Sequence, residues 1–365
     1  MINSGLDRLR QIFLEKNLNA LLISNFHNIY YLTGFQTLTE NERESWLLIT
    51  NEECYLFTDG RYFSKLTMSN EELAIKTRLI EAGNGLLKQV GEILDKKRIT
   101  SLAVEADDLK LSEYLKIKSS FPNTNLVTTE KLIIKLRETK TQDETEKIKT
   151  ACEIGDQCLS DICKTIKVGQ TEKEIATKIE FWLKHKNHNS AFAPIVAIDK
   201  NSAIPHYDCR EENSEITSSS VILIDFGVEY KNYCSDITRM IFFNPGTEVI
   251  NIYNILLNAQ QETIKQIENN HNPGEIDGFC RSYLRNEHLS DYPHSTGHGI
   301  GLEVHEYPKI SPHSTDIINN HQVFTIEPGV YLREKYGLRI EDTVLVKENG
   351  VEILTNFSKE MIVKK

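Results

Sequence analysis

The chain of 365 residues has no excess of positive charge: 42 Lys and Arg stand against 53 Asp and Glu, for a net charge of -11. Nucleic acids and anionic membranes both call for a basic face, so neither is expected as a partner. No stretch approaches the ~18 consecutive apolar residues of a membrane-spanning helix. The opening "MINSGLDRLRQIF" lacks a basic segment followed by an apolar run, so no signal peptide is expected. The seven cysteines are odd in number and no C-x-x-C occurs, which argues against a disulfide framework and a zinc ribbon. Reduced, structural thiols in a cytoplasm are expected instead. H-E-x-x-H is absent, which excludes the zincin class. "GHGIG" lacks the Gly-Lys-Ser/Thr ending of a phosphate-binding loop. There is neither an internal repeat nor a low-complexity tract.

What is present is ordinary globular composition, 39% hydrophobic and 26% charged, in a chain longer than one core usually serves. The first third alternates helix-like and strand-like segments. "LDRLRQIFLEKNLN" and "NGLLKQVGEILDKK" have apolar residues at helical spacing, and "ALLIS", "WLLIT", "CYLFT" and "SLAVE" are short apolar strands. This alternation predicts an α/β domain over 1–135. The polar run "RETKTQDET" (137–145) is the best linker, with a long helix starting inside it and running to about Ile166. Thr171 and Glu174 make a capping box for the next helix. Beyond Ala191, strand-like runs dominate, interrupted by helices over about 247–269 and 274–288. This predicts an α+β domain with antiparallel strands over 136–365.

Two hairpins carry the most informative pattern. In "LIDFGVEYKNYCSDITR" the polar turn "EYKN" has its midpoint between Tyr230 and Lys231. Asp225 and Asp236 are equidistant from that midpoint, so a symmetric hairpin would place them face to face, roughly 5 Å apart at Cβ. In "FTIEPGVYLREKYGLRIEDT" the midpoint is Glu334, and Glu327 and Glu341 are equidistant from it. Four inward carboxylates suit two hard divalent cations. The competing reading is that each is an ordinary edge or surface residue. "IDFG" also matches the kinase "DFG", but neither a Gly-rich loop nor H-R-D accompanies it.

"PHSTGHGIGLEVHE" adds His294, His298 and His305. His298 could complete an Asp/Glu/His set, and the glycines around it are read as room for backbone and substrate. His305 lies an odd number of residues further on. A straight strand would put it on the opposite face from His298 unless a bulge or turn intervenes. His206, in "NSAIPHYD", falls in a loop. Each histidine taken alone could equally be an ordinary core or surface residue.

In order and spacing, "LIDFG…YCSDITR", "PHSTGHGIGLEVHE", "FTIEPGVY" and "RIEDT" resemble the motifs of the M24 pita-bread metallopeptidases, and in particular their proline-specific branch of Xaa-Pro aminopeptidases and Xaa-Pro dipeptidases (prolidases). "NIYYLTGF" and "LFTDGRY" resemble the creatinase/prolidase N-terminal domain. The resemblance implies a pita-bread catalytic domain preceded by a smaller α/β domain. It implies Asp225, Asp236, His298, Glu327 and Glu341 as ligands of two divalent ions, most often manganese, with cobalt or zinc as substitutes. His206 and His305 would contact the transition state, Glu327 would also carry a proton, and His294 and Arg339 would serve the substrate and the site's second layer. The implied substrate is a peptide with proline in second position, and the implied assembly a homodimer. Two such cations would lower the pKa of a shared water and polarise the scissile carbonyl.

The expected activity is therefore Xaa-Pro aminopeptidase, with Xaa-Pro dipeptidase as the alternative. A non-catalytic pita-bread binding protein would need a lost ligand, and all five are present. A methionine aminopeptidase would share the five ligands but not the N-terminal motifs.

Overall fold

The computed structural model describes residues 5–62, 75–210 and 213–364. The chain divides into two compact units, Met1–Arg137 and Glu138–Lys365.

The first unit is built on a six-stranded sheet in the order Ile75–Leu79, Cys54–Thr58, Ser45–Thr50, Ala20–Ile23, Ser101–Glu105, Asn125–Thr129. Ala20–Ile23 pairs antiparallel with Ser45–Thr50 and parallel with Ser101–Glu105, so the sheet is mixed. Successive side chains point to opposite faces. Leu21 and Ile23 pack with Leu9 and Phe13 of the helix Gly5–Lys16. Ala20 and Leu22 pack with Val90 and Leu94 of the helix Leu86–Lys97. Burial on both faces explains why "ALLI" reads as an unbroken apolar run.

The polar run 137–145 holds the boundary between the two units, and most of it is helical. The helix Leu132–Glu138 ends in it and the helix Gln142–Thr165 begins in it. Thr141 caps that second helix, and the Glu144 carboxylate returns to the Thr141 N–H at 2.8 Å. The capping box read at Thr171 and Glu174 opens the helix Glu172–His185.

The second unit holds two larger sheets. One runs Ile362–Lys364, Ile237–Phe243, Val221–Phe226, Ile195–Ile198 and is antiparallel except at its Ile362–Lys364 edge. The other runs Glu306–Ile310, Gly297–Gly299, Val323–Ile326, Asp342–Lys347, Gly350–Ile353. Two small sheets join them: Gly329–Leu332 with Tyr336–Arg339, and Val228–Tyr230 between Tyr233–Cys234 and Asn189–Ser190. Leu159, Ile162, Ile179, Leu183 and Leu256 of the covering helices share one core with Val196, Ile222, Ile224 and Ile241. The α+β reading therefore holds. All seven cysteines are buried and unpaired. Among the described residues, no helix is long and apolar enough to cross a membrane.

Candidate metal centre

The two hairpins differ in how well their symmetry could be read. In the first, Asp225 pairs with Thr238 and Phe226 with Ile237. Further out, Glu229 pairs with Cys234 and Tyr230 with Tyr233. The turn is only Lys231-Asn232, at φ 49 and 68, the twist-matching two-residue type. The expectation that Asp225 and Asp236 stand directly opposite each other is thus corrected. The midpoint lies one residue later, which moves the pairing by two residues. Side chains alternate with a period of two, so a two-residue shift preserves the face. Asp236 is a diagonal neighbour of Asp225 on the same side. The second hairpin keeps its expected register: Gly329 pairs with Arg339 and Ile326 with Asp342, about a centre at Glu334. Glu327 and Glu341 are therefore equidistant from the turn.

The acidic residues share a location. Asp225 lies near the end of Val221–Phe226, before the chain passes to Val228–Tyr230. Asp236 precedes Ile237–Phe243, Glu327 follows Val323–Ile326, and Glu341 precedes Asp342–Lys347. Each stands where a strand leaves one sheet for another. Gly227 permits the first of these crossings, because a Cβ there would fall 2.1 Å from the Ser235 carbonyl oxygen.

Ligand atoms of Asp236, His298 and Glu341 all lie within 4.8 Å of one another. His298 Nε2 is 3.7 Å from Asp236 Oδ2 and 3.5 Å from Glu327 Oε1. Glu341 Oε2 accepts from the Thr238 hydroxyl at 2.6 Å. That hydroxyl accepts in turn from Arg339 Nε at 3.1 Å. Arg339 also donates from Nη2 to Asp225 Oδ2.

Burial and crowding of like charges set the electrostatics. Burial, then the neighbouring Glu341 and Asp225, hold Asp236 well above the usual carboxylate range. Burial and Glu341 do the same to Glu327. Glu341 is pushed up to about 8 by burial and by Asp225. Burial pushes His298 down to about 3, so its ring is neutral. Its Nδ1 faces the Gly299 carbonyl at 3.1 Å and must donate there. The Nε2 lone pair is left aimed at carboxylate oxygens. Asp225 Oδ1 and Asp236 Oδ1 are buried without a hydrogen-bond partner among the described residues. Lone pairs converging on lone pairs, with orphaned carboxylate oxygens, fit divalent cations at this position.

His305 stands beside His298, with ring centroids 4.4 Å apart. Both a turn and a bulge intervene: the chain reverses after Gly299 so that Gly297–Gly299 pairs antiparallel with Glu306–Ile310, and the register shifts between His298, which pairs with Lys309, and Gly299, which pairs with Glu306. His294 has both ring nitrogens engaged. Its Nδ1 donates to Ser295 O at 2.8 Å, and its Nε2 accepts from the Tyr331 hydroxyl at 2.8 Å. Burial pushes it down to about 4. His206 is exposed, close enough that its charge disfavours protonation of His294 and His305.

The glycines serve the backbone part of what was expected of them. A Cβ at Gly297 would lie 1.8 Å from Thr325 O, and one at Gly299 would lie 2.1 Å from Tyr307 O. At Gly301 it would meet the Glu306 carboxylate at 2.5 Å. The room they provide is taken by this chain's own neighbouring segments.

The model of metallopeptidase family M24 matches residues 146–348, and that of the creatinase/prolidase N-terminal domain matches residues 6–139. The chain belongs to metallopeptidase family M24. An Xaa-Pro dipeptidase of Pyrococcus furiosus is 30% identical over 98% of this chain and 99% of its own length. Among solved structures, an Xaa-Pro dipeptidase from Bacillus anthracis is 31% identical with a TM-score of 0.90, covering 99% of both chains. An X-Pro aminopeptidase from Thermotoga maritima is 32% identical with a TM-score of 0.87, over 98% of this chain and 100% of its own.

Two residues of this M24 site escaped the sequence reading. Tyr331 links His294 to Arg339, accepting from Nη1 at 3.1 Å. Thr238 links Arg339 to Glu341. Thr238 carried a usable signal, being the polar residue two positions after Asp236 on a strand face that continues with Met240 and Phe242.

Proposed function

We propose that this M24 metallopeptidase is an Xaa-Pro dipeptidase, hydrolysing the bond between an N-terminal residue and a following proline in dipeptides. The supporting observation is near-complete length agreement with relatives named Xaa-Pro dipeptidase. These favour the dipeptidase over the aminopeptidase put first from sequence. The T. maritima neighbour, named an X-Pro aminopeptidase, keeps longer Xaa-Pro peptides as the second reading.

Asp225, Asp236, His298, Glu327 and Glu341 would hold two divalent ions, manganese by preference. When bound, the ions would supply Lewis acidity towards the scissile carbonyl and a water of lowered pKa. Arg339 occupies Asp225 Oδ2 and leaves Oδ1 for ligation. Thr238 turns Glu341 by holding Oε2. Glu327 would take a proton and return it to the leaving proline nitrogen. His305 and His206 would donate to the oxygen on which charge develops. His294 would meet substrate only by releasing Ser295 O or the Tyr331 hydroxyl. An Xaa-Pro bond has no N–H for strand-like gripping, so recognition must rest on shape. The units Met1–Arg137 and Glu138–Lys365 would act as a creatinase-like N-terminal domain and a catalytic domain, in a cytoplasmic homodimer.

The test is a side-by-side assay of an Xaa-Pro dipeptide and an Xaa-Pro-Yaa tripeptide, with Mn²⁺ and with chelator. Metal-dependent cleavage of the dipeptide alone is expected. Cleavage of the tripeptide alone would return the assignment to aminopeptidase, and cleavage of neither would end the proline reading.

A further inference from the structure

Lys140 and Glu306 form an ion pair at 3.0 Å with side chains only 1% and 2% exposed. Burying two charges costs about as much as their attraction returns, so such a pair is poorly explained by stability alone. Its surroundings suggest another use. Glu306 follows His305 directly and opens the strand Glu306–Ile310. Its Oε1 accepts from the Glu303 N–H at 3.1 Å, and its Oε2 takes the Lys140 ammonium. The carboxylate lies against the Cα of Gly301, where a Cβ would come within 2.5 Å. Gly301 donates to Glu303 O at 3.1 Å. The segment 301–305, which is neither helix nor strand, is therefore folded around this one carboxylate. It delivers His305 to a ring separation of 4.4 Å from His298.

The other end of the clamp is fixed as well. Lys140 donates its N–H to His321 O at 2.8 Å, and Thr139 bridges to Gln322. The next residue, Thr141, caps the helix Gln142–Thr165. The Lys140 side chain thus projects from a pinned backbone.

We propose that Lys140 and Glu306 are positioning residues, a buried pair that sets the 301–305 turn and so holds His305 over the site; the inference rests on the peptidase reading above. The test is the double variant Lys140→Met/Glu306→Gln, which leaves no buried charge without its partner. On an Xaa-Pro dipeptide, kcat should fall about 100-fold, as expected for a misplaced group near the reacting centre, with KM and metal content unchanged. In a His305→Ala background the same double change should cost nothing further in kcat, since both act through one imidazole. Unchanged kcat, loss of metal, or a loss that adds fully to that of His305→Ala would overturn the proposal. Should the double variant fail to fold, Lys140→Gln/Glu306→Gln, which also leaves no unpaired charge, is read in the same way. A crystal structure of the variant decides independently of activity: His305 displaced from His298 supports the pair, and an unmoved His305 overturns it. If the wild-type chain cleaves no Xaa-Pro peptide, the peptidase reading fails while that structural comparison still stands.

Discussion

Asp225 stands directly across its sheet from Thr238, not from Asp236. Asp236 is displaced two residues along the strand, on the same face. The two carboxylates thus avoid the closest approach between paired strands, while Asp236 joins His298 and Glu341 and Asp225 adds its charge to theirs.

Asp236 is the acid whose neighbours crowd it most: Glu341, Asp225 and Glu327 all raise it. Asp236→Asn should bind less metal than wild type and lose all measurable activity. Elemental analysis of the purified variant checks this, and a full complement of metal would contradict a ligand role.

His305→Ala should keep its metal and lose rate. The ring lies beside His298, and its proposed part is to donate to developing charge rather than to bind metal. Removing one preorganised donor to developing charge typically costs about 10²–10³ in kcat. Loss of metal on this change would make His305 a ligand.

Arg339 is buried and donates to Asp225, Thr238 and Tyr331. Arg339→Met strips the counter-charge from a buried carboxylate. Breaking such a pair costs about 3–5 kcal/mol, so chelated protein should unfold at clearly lower urea than wild type. Bound metal should recover part of the difference by neutralising Asp225. Denaturation curves with and without Mn²⁺ measure both, and equal midpoints for variant and wild type in chelator would contradict the charge argument.

Metal-free protein should lose stability as pH rises from about 6.5 to 8. Glu341 titrates at about 8 when folded, against 4.5 unfolded, and Asp236 and Glu327 are raised as well. In that window the folded chain holds protons that the unfolded chain has released, so stability falls with rising pH. The slope is ~1.4 kcal/mol per pH unit for each such proton. His294 and His298, lowered from 6.5 to about 4 and 3, oppose this only below 6.5, where the unfolded histidines gain protons. Melting curves in chelator at pH 6.5 and 8 test the sign, and a Tm that rose with pH would refute it. Saturating metal should remove the slope.

Much of this site could be read from sequence because its acids sit at set distances from turns. The second hairpin shows this best, since its three-residue turn is centred on Glu334 as expected. The first hairpin misled because Lys231 adopts a positive φ, a conformation that few residues other than Gly, Asn and Asp take readily. Four of the first unit's six strands were legible because burial on both faces leaves unbroken apolar runs; the edge strands Ile75–Leu79 and Asn125–Thr129, partly exposed, were not. The approach of His305 to His298 was not, because it depends on a chain reversal and a register shift between them that the local residues do not mark. Lys140 and Glu306 were invisible for a related reason: they lie far apart in the chain, and nothing local marks either one.

The glycines on either side of His298 have a consequence for the choice of ion. With Thr325 O against Gly297 and Tyr307 O against Gly299, main chain touches main chain on both flanks of the histidine. That strand can slide towards neither neighbour. Were His298 a ligand as proposed, a larger or smaller cation would be accommodated by rotation of the carboxylates about their own bonds and not by movement of this strand.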